Sequence, residues 1–269
     1  MICLAGVALF AGCDKIAGDE YTIYVGEPLE WHEGTAFTAV GRAYVEKYTG
    51  PKCPNCPAAD VTLDMAHQQY GDRVVLISVN HPTGQGEPFA GQPDMRTDAG
   101  TAWDNYFGIE AIPAAYINRD ESVQYSGSMA GIVAAIGSAL QHEPTVGVEL
   151  ECQYDTAARQ VAITVNVCLV QDCADALTLT LALTEDSLPY RQIDGGNLVE
   201  DYVHNHMLRD VATDTWGADI DCSGTAGEAR TATISYTLPD NVDPTHCNIV
   251  ALVSNKRTRV VLNSAACRL

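Results

Sequence analysis

Apolar and polar positions along this chain follow one rhythm in the first half and another in the second. Ala59, Leu63, Ala66 and Tyr70 recur at i, i+4, i+7 and i+11, which lines one face of an amphipathic helix. Before it, Ala43-Tyr44-Val45-Glu46-Lys47-Tyr48 reads as a strand and Gly50-Pro51 as a turn. After it, Arg73-Val74-Val75-Leu76-Ile77-Ser78-Val79 is a continuous apolar run, as in a strand buried on both faces. Residues 80–100 are rich in Gly and Pro and read as an excursion, followed by a helical stripe of Ala102, Trp103, Tyr106 and Phe107. Ala111-Ile112-Pro113-Ala114-Ala115-Tyr116-Ile117 and Val123-Gln124-Tyr125 read as paired strands. Ser128 is expected to cap a last helix carrying Ile132, Val133, Ile136 and Leu140, ended by Glu143-Pro144. Proline at the mouth of an apolar strand cannot donate to the ladder, and an Ile-Pro bond can be cis.

From Val146 the period becomes two. Val146, Val148, Leu150, Cys152 and Tyr154 alternate with polar residues, as do Val161, Ile163, Val165 and Val167, and then Leu177, Leu179, Leu181 and Leu183. Ala232, Ile234, Tyr236 and Leu238 repeat the pattern, and Ile249–Val253 and Arg259–Leu262 add further candidates. Half-buried strands have this period, and about seven or eight of them suggest a sandwich of immunoglobulin-like type.

A chain of 269 residues is comfortable for two domains, each with its own core. The expected division is a leader at 1–13, a tether at 14–36, an α/β domain at 37–143 and an all-β domain at 144–269. A formal charge of −20, from 35 acidic and 15 basic residues, argues against a nucleic-acid partner. Leu9-Phe10-Ala11-Gly12-Cys13 ends a short apolar run and resembles a bacterial lipobox, in which cleavage before Cys13 leaves that cysteine to carry lipid. The run lacks a positively charged start, so a translation start further upstream is expected. A buried N-terminal element with an incidental cysteine is the duller alternative.

Ten cysteines support export. Beside Cys3, Cys13, Cys53 and Cys56, six lie in the second half at 152, 168, 173, 222, 247 and 267. Six cysteines allow fifteen connectivities, among which Cys168 with Cys173, stapling a turn, is the first choice. Zinc is the competing use, though none of the six forms a second CxxC.

The candidate chemistry centres on Lys52-Cys53-Pro54-Asn55-Cys56-Pro57, where a strand hands over to a helix. A helix N-terminus stabilises a thiolate, and two thiols at this spacing can close a reversible disulfide. Cys53 would attack, as the exposed member beside Lys52, and Cys56 would resolve the mixed disulfide. The same pair can instead be a permanent disulfide on a binding scaffold.

The order of CxxC, long helix, buried strand and Ile-Pro before a hairpin and final helix resembles the thioredoxin fold. That resemblance implies a proline beside the cysteines, which is Pro113 here, and a buried carboxylate assisting the second thiol, for which Glu46 is the candidate. It departs from that fold's redox enzymes in having Lys52 in place of Trp, in Pro54-Asn55, and in one extra residue between Glu46 and the pair. YVEKYTGPKCPNCPAA, SVNHPTG, IPAAYINR, YVHNHMLRDV and Trp216-Gly217 further resemble the Omp28-related family of surface lipoproteins in Gram-negative anaerobes. That family implies a lipid-anchored outer-membrane or cell-surface protein with a thioredoxin-like domain and no settled reaction.

His204-Asn205-His206 would put two imidazoles on one face of a strand, but no third metal ligand is identifiable. GxSxG, P-loop and HExxH motifs are absent, and no cofactor is expected. Two functions stay open: thiol-disulfide exchange on exported proteins, and non-catalytic binding of a surface ligand.

Overall fold

The computed structural model describes residues 28–269; the leader, Cys3 and Cys13 lie outside that range. The described residues are rich in strand and form three sheets. A short β1 (His32–Glu33) precedes the core elements of the first half. These are β2 (Ala43–Thr49), α1 (Cys56–Tyr70), β3 (Val74–Asn80), α2 (Asp98–Phe107), β4 (Ala114–Ile117), β5 (Tyr125–Ser126) and α3 (Ile132–Ala139). Strands β2 and β3 run parallel across the α1 crossover, and β4 pairs antiparallel with β2 and β5. The expected Ser128 cap is displaced. Helix α3 starts after Gly131, whose φ of 85° is open to a residue without a side chain.

The second half contributes β6 (Val146–Asp155), β7 (Gln160–Leu169), β8 (Leu177–Glu185), β9 (Leu188–Asp194), β10 (Asn197–His204) and β11 (Met207–Val211). It ends with β12 (Ala218–Asp219), β13 (Ala229–Thr237), β14 (Cys247–Asn255) and β15 (Val261–Arg268). Strands β1, β13, β7 and β6 form one sheet. A nine-stranded sheet follows the order β15-β14-β8-β11-β3-β2-β4-β5, with β12 beside β8. The halves therefore share a sheet. They join where Met207 of β11 pairs in parallel with Ser78 of β3, and the Ser78 N–H donates to the His206 carbonyl at 2.7 Å.

Strand alternation explains how one sheet serves three cores. Tyr44, Tyr48, Val75, Ile77, Ala182, Leu208, Val250 and Leu252 pack on the face covered by Trp103 and Phe107 of α2. On the opposite face, Ala43, Val45, Val74 and Leu76 meet α1 and α3. Further along that face, Leu179, Leu181, Leu183, Ile249 and Ala251 meet Val148, Ile163, Val165 and Val167 of the four-stranded sheet. Each fully buried Leu, Ile or Val contributes about 1.5–3 kcal/mol of transfer free energy, so the cores hold the layers together.

Strands β9 and β10 stand apart as a hairpin in a sheet of their own. Asp194 pairs with Asn197, leaving a two-residue turn of Gly195 and Gly196 at φ 54° and 93°. Both angles are positive, as a tight turn matched to strand twist requires, and glycine supplies them without steric cost.

Candidate functional site

Helix α1 opens on Cys56 with Pro57 in its first turn, a position where the missing proline N–H costs nothing. Cys53 lies just outside the helix in a tight turn, its N–H bonded to the Gly50 carbonyl at 3.1 Å. The two sulfurs form a disulfide with a Cα separation of 5.5 Å. The Ile112–Pro113 bond is cis, and the Ile112 carbonyl lies 3.6 Å from Cys53 Sγ. Strand–helix handover and Ile-Pro turn thus meet at the sulfurs.

The cysteines are closed off from solvent: Cys53 is 0% and Cys56 1% exposed. This corrects the expectation that Cys53 is exposed, and the cause is the β9–β10 hairpin. The Ile193 N–H donates to the Pro51 carbonyl at 2.8 Å, and the Gly195 N–H to the Pro54 carbonyl at 3.0 Å. Buried Gln192 sends its side-chain amide to the carbonyls of Cys53 at 2.8 Å and Gly50 at 3.3 Å. Tyr202 at the other end of the hairpin donates to Asp60 Oδ2 of α1 at 2.8 Å. From the other side the 81–87 loop presses on the same turn. A Cβ on Gly50 would run into the backbone of Gln85 and Gly86, and the Lys52 N–H donates to the Gln85 carbonyl at 3.0 Å. The Lys52 ammonium leans on Glu87 at 3.8 Å and over the Phe89 ring at 5.9 Å.

Glu46 is not beside the cysteines. Its side chain is on the α2 face of the sheet, where Arg119 Nε and Nη2 donate to Oε2 at 2.9 and 2.7 Å and the Tyr44 and Tyr48 hydroxyls donate as well. Arg119 is 1% exposed, with its guanidinium 4.4 Å from the Trp103 ring and 5.4 Å from Trp216. Burial alone would lower the Arg119 pKa, but the Glu46 carboxylate outweighs it and holds the cation above its ordinary value. Burial, and then Glu46, push the Tyr44 and Tyr48 hydroxyls well up, so both stay neutral donors.

The next residue takes the other face. Lys47 forms an ion pair with Asp60 of α1, one helical turn beyond Cys56, with side-chain exposures of 6% and 27%. Lys47, Asp60, Asp64, Tyr202 and His206 line a small cleft under the hairpin. This pair and the Gln192 latch were missed in the sequence. Parity in β2 was the available sign for Lys47, and Asp194-Gly195-Gly196-Asn197 for the hairpin.

His204 and His206 do not share a strand face. His204 ends β10, whereas His206 itself sits in a reversal at φ 57° and leads into β11. Burial, helped by Lys47, lowers the His204 pKa to about 4, and burial lowers that of His206. His206 Nδ1 lies 3.3 Å from Asp186 Oδ1. Among the described residues, no three His, Cys, Asp or Glu side chains gather as a metal site. The Cys168–Cys173 staple is also absent. Among the described residues the Cys53–Cys56 bond alone is closed, and the Cys168 thiol points to the Phe37 carbonyl at 3.6 Å.

The fold is similar to that of HBP35 of Porphyromonas gingivalis, with a TM-score of 0.68 at 18% identity over 88% of this chain and 77% of that one. It is also similar to protein AGR_C_4864 from Agrobacterium tumefaciens, with a TM-score of 0.51 at 16% identity over 86% of this chain and 95% of that one. A domain of the outer membrane lipoprotein Omp28 from Porphyromonas gingivalis aligns over 48% of this chain and 90% of its own length, at 15% identity and a TM-score of 0.33. No curated protein matches. The family model of outer membrane protein Omp28 matches residues 100–267, starting in α2, beyond the CxxC, and running nearly to the end of β15. That match spans well over half of the sequence, and the chain belongs to the Omp28 family of outer membrane proteins.

Proposed function

We propose that this protein is a lipid-anchored thiol-disulfide exchange protein of the outer membrane or cell surface, with a thioredoxin-like unit in its first half and an immunoglobulin-like sandwich in its second. One observation carries the reading: a CxxC disulfide at a helix N-terminus with the Ile112 carbonyl 3.6 Å from Cys53 Sγ. In the exchange, a thiolate of an exported protein attacks Cys53 Sγ, and the electron pair of the S–S bond leaves on Cys56. A second substrate thiol then displaces Cys53, so the substrate is oxidised to a disulfide and the CxxC is reduced to two thiols; the reverse sequence reduces a substrate disulfide. Pro113 and the Ile112 carbonyl border the place where substrate backbone docks. Glu46, engaged by Arg119 on the far face, takes no part. Exchange requires the β9–β10 hairpin to lift, because both sulfurs are covered.

The same cover favours a second reading, in which Cys53–Cys56 is a structural disulfide of a surface-binding protein. Trapping separates the two. In the full chain carrying Cys56→Ser, mixed disulfides through Cys53 are expected after alkylating quench of whole cells. Their absence, with failure of the wild type to reduce or oxidise a model disulfide, leaves the binding reading. Anchoring rests on Cys13. Cys13→Ser is expected to move the protein from the membrane fraction to the soluble one, and unchanged membrane association discards the lipid.

A further inference from the structure

Six cysteines of the second half take no part in the site, and their placement is not random. Cys152 lies in β6 on the inward face with Val148, Leu150 and Tyr154, paired across β7 with buried Ile163. Cys267 lies in β15 on the alternation that carries Ala265 and Leu269 inward, paired across β14 with buried Ile249. These two strands belong to facing sheets and pack against each other. The second pair is held by a loop clasp. The Cys173 N–H donates to the Gly224 carbonyl at 2.8 Å and the Ala226 N–H to Asp172 Oδ1 at 2.8 Å, with Cys173 and Cys222 both half-buried at the edge of the same core.

We propose that in the oxidising cell envelope Cys152 is linked to Cys267 and Cys173 to Cys222, while Cys168 and Cys247 remain thiols. The neighbourhoods agree: burial and the adjacent Cys267 thiol push Cys152 up, and burial, Glu228 and Cys173 push Cys222 up. Cys168 and Cys247 cannot pair with each other. Cys168 is paired with Ala229 at the start of β13, whereas Cys247 neighbours Tyr236 near its end, some seven residues or about 24 Å along the strand. Cys168 is also about five residues of strand from Cys152's partner Ile163. Cys247 is only a diagonal neighbour of Cys267, since the register sets Cys267 opposite Ile249.

Each link closes when two thiols give up two protons and two electrons and a sulfur–sulfur bond forms. The acceptor is the disulfide of an envelope thiol oxidase, which is reduced to its dithiol. The Cys152–Cys267 link would tie β6, the first strand of the second half, to β15, its last, and the long loop it closes makes its effect on the unfolded chain large.

The test is a disulfide map of the full-length protein, alkylated in intact cells and digested without reduction. Cys152–Cys267 and Cys173–Cys222 peptides are expected, with Cys168 and Cys247 alkylated only after denaturation. A Cys168–Cys173 or Cys247–Cys267 peptide, or alkylation of all six, overturns the assignment. In Cys267→Ser, Cys152 should become alkylatable while the Cys173–Cys222 link persists, and Tm should fall by about 10 °C. Continued protection of Cys152 in that variant gives it a different partner and overturns the first link; should the variant fail to fold, the wild-type map decides.

Discussion

Glu46 and Lys47 are consecutive in β2, and each makes an ion pair, but the surroundings of the two pairs have little in common. On the α2 face, Glu46 and Arg119 are enclosed by Tyr44, Tyr48, Trp103 and Trp216, and both carboxylate oxygens accept hydrogen bonds. On the α1 face, Lys47 and Asp60 border a cleft, and Asp60 keeps a second partner in Tyr202 from the hairpin. A sealed pair of this kind acts as a structural rivet. The open one ties a separable element to the helix that begins at Cys56. Equal chemistry on the two faces of one strand therefore does different work, according to what can move beside it.

Breaking the sealed pair should have the largest effect. Arg119→Met leaves the Glu46 carboxylate buried without its cation and should cost about 3–5 kcal/mol in urea unfolding. A loss under about 1 kcal/mol would mean that the two tyrosines suffice. Acid gives the next effect, on the open side. The folded pKa of His204 is lowered to about 4 by burial and Lys47, with Asp60 opposing, against an ordinary value of 6.5. Its neutral form is thus favoured by folding, and the associated stability is complete above about pH 6.5 and lost as pH falls to about 4. On the order of 3 kcal/mol is at stake, measured as the difference in pH dependence between the wild type and His204→Gln. Identical acid profiles would remove His204 from the account.

Lys47→Met should cost about 1–3 kcal/mol, less than the Arg119 change because Asp60 is 27% exposed and retains the Tyr202 hydroxyl. A loss equal to that of Arg119→Met would erase the distinction between the faces. The smallest stability effect belongs to Gln192→Ala, about 1 kcal/mol, since it cuts only the side-chain hydrogen bonds to the Cys53, Gly50 and Ile193 carbonyls. Its reduction kinetics should respond more: a small-molecule dithiol should open Cys53–Cys56 about tenfold faster, as for a locally loosened element. An unchanged rate would show that the hairpin does not limit access.

Local pattern carried the first half well. The α1 stripe, the continuous apolar β3 and the CxxC-to-Pro113 order are set by neighbours in sequence, and they appear where the periodicities place them. Glu46 shows the limit of that reading. Position along a strand is legible to within a residue or so, but one residue reverses the face, and it is Lys47 that points toward α1. The residues 188–211 were obscure for another reason. Their hairpin carries exposed Leu198 and Val203 and packs by backbone bonds onto a turn far away in sequence, so its apolar rhythm is weak. Trp216-Gly217 and the Arg119 that ends IPAAYINR stood in motifs without an evident purpose of their own. Both serve the Arg119 cluster, which forms only when distant segments meet.

The parallel pairing of Met207 with Ser78 decides when the centre of the large sheet can close. Until the chain through Val211 has been delivered, β3 offers an apolar strand with a free edge, the kind of edge that recruits strands from other molecules. The closing contact spans well over a hundred residues, so it forms late and slowly. A polypeptide stalled in translocation before residue 207 would thus present a sticky intermediate to envelope chaperones and proteases, whereas in the completed chain β11 meets that edge at Ser78.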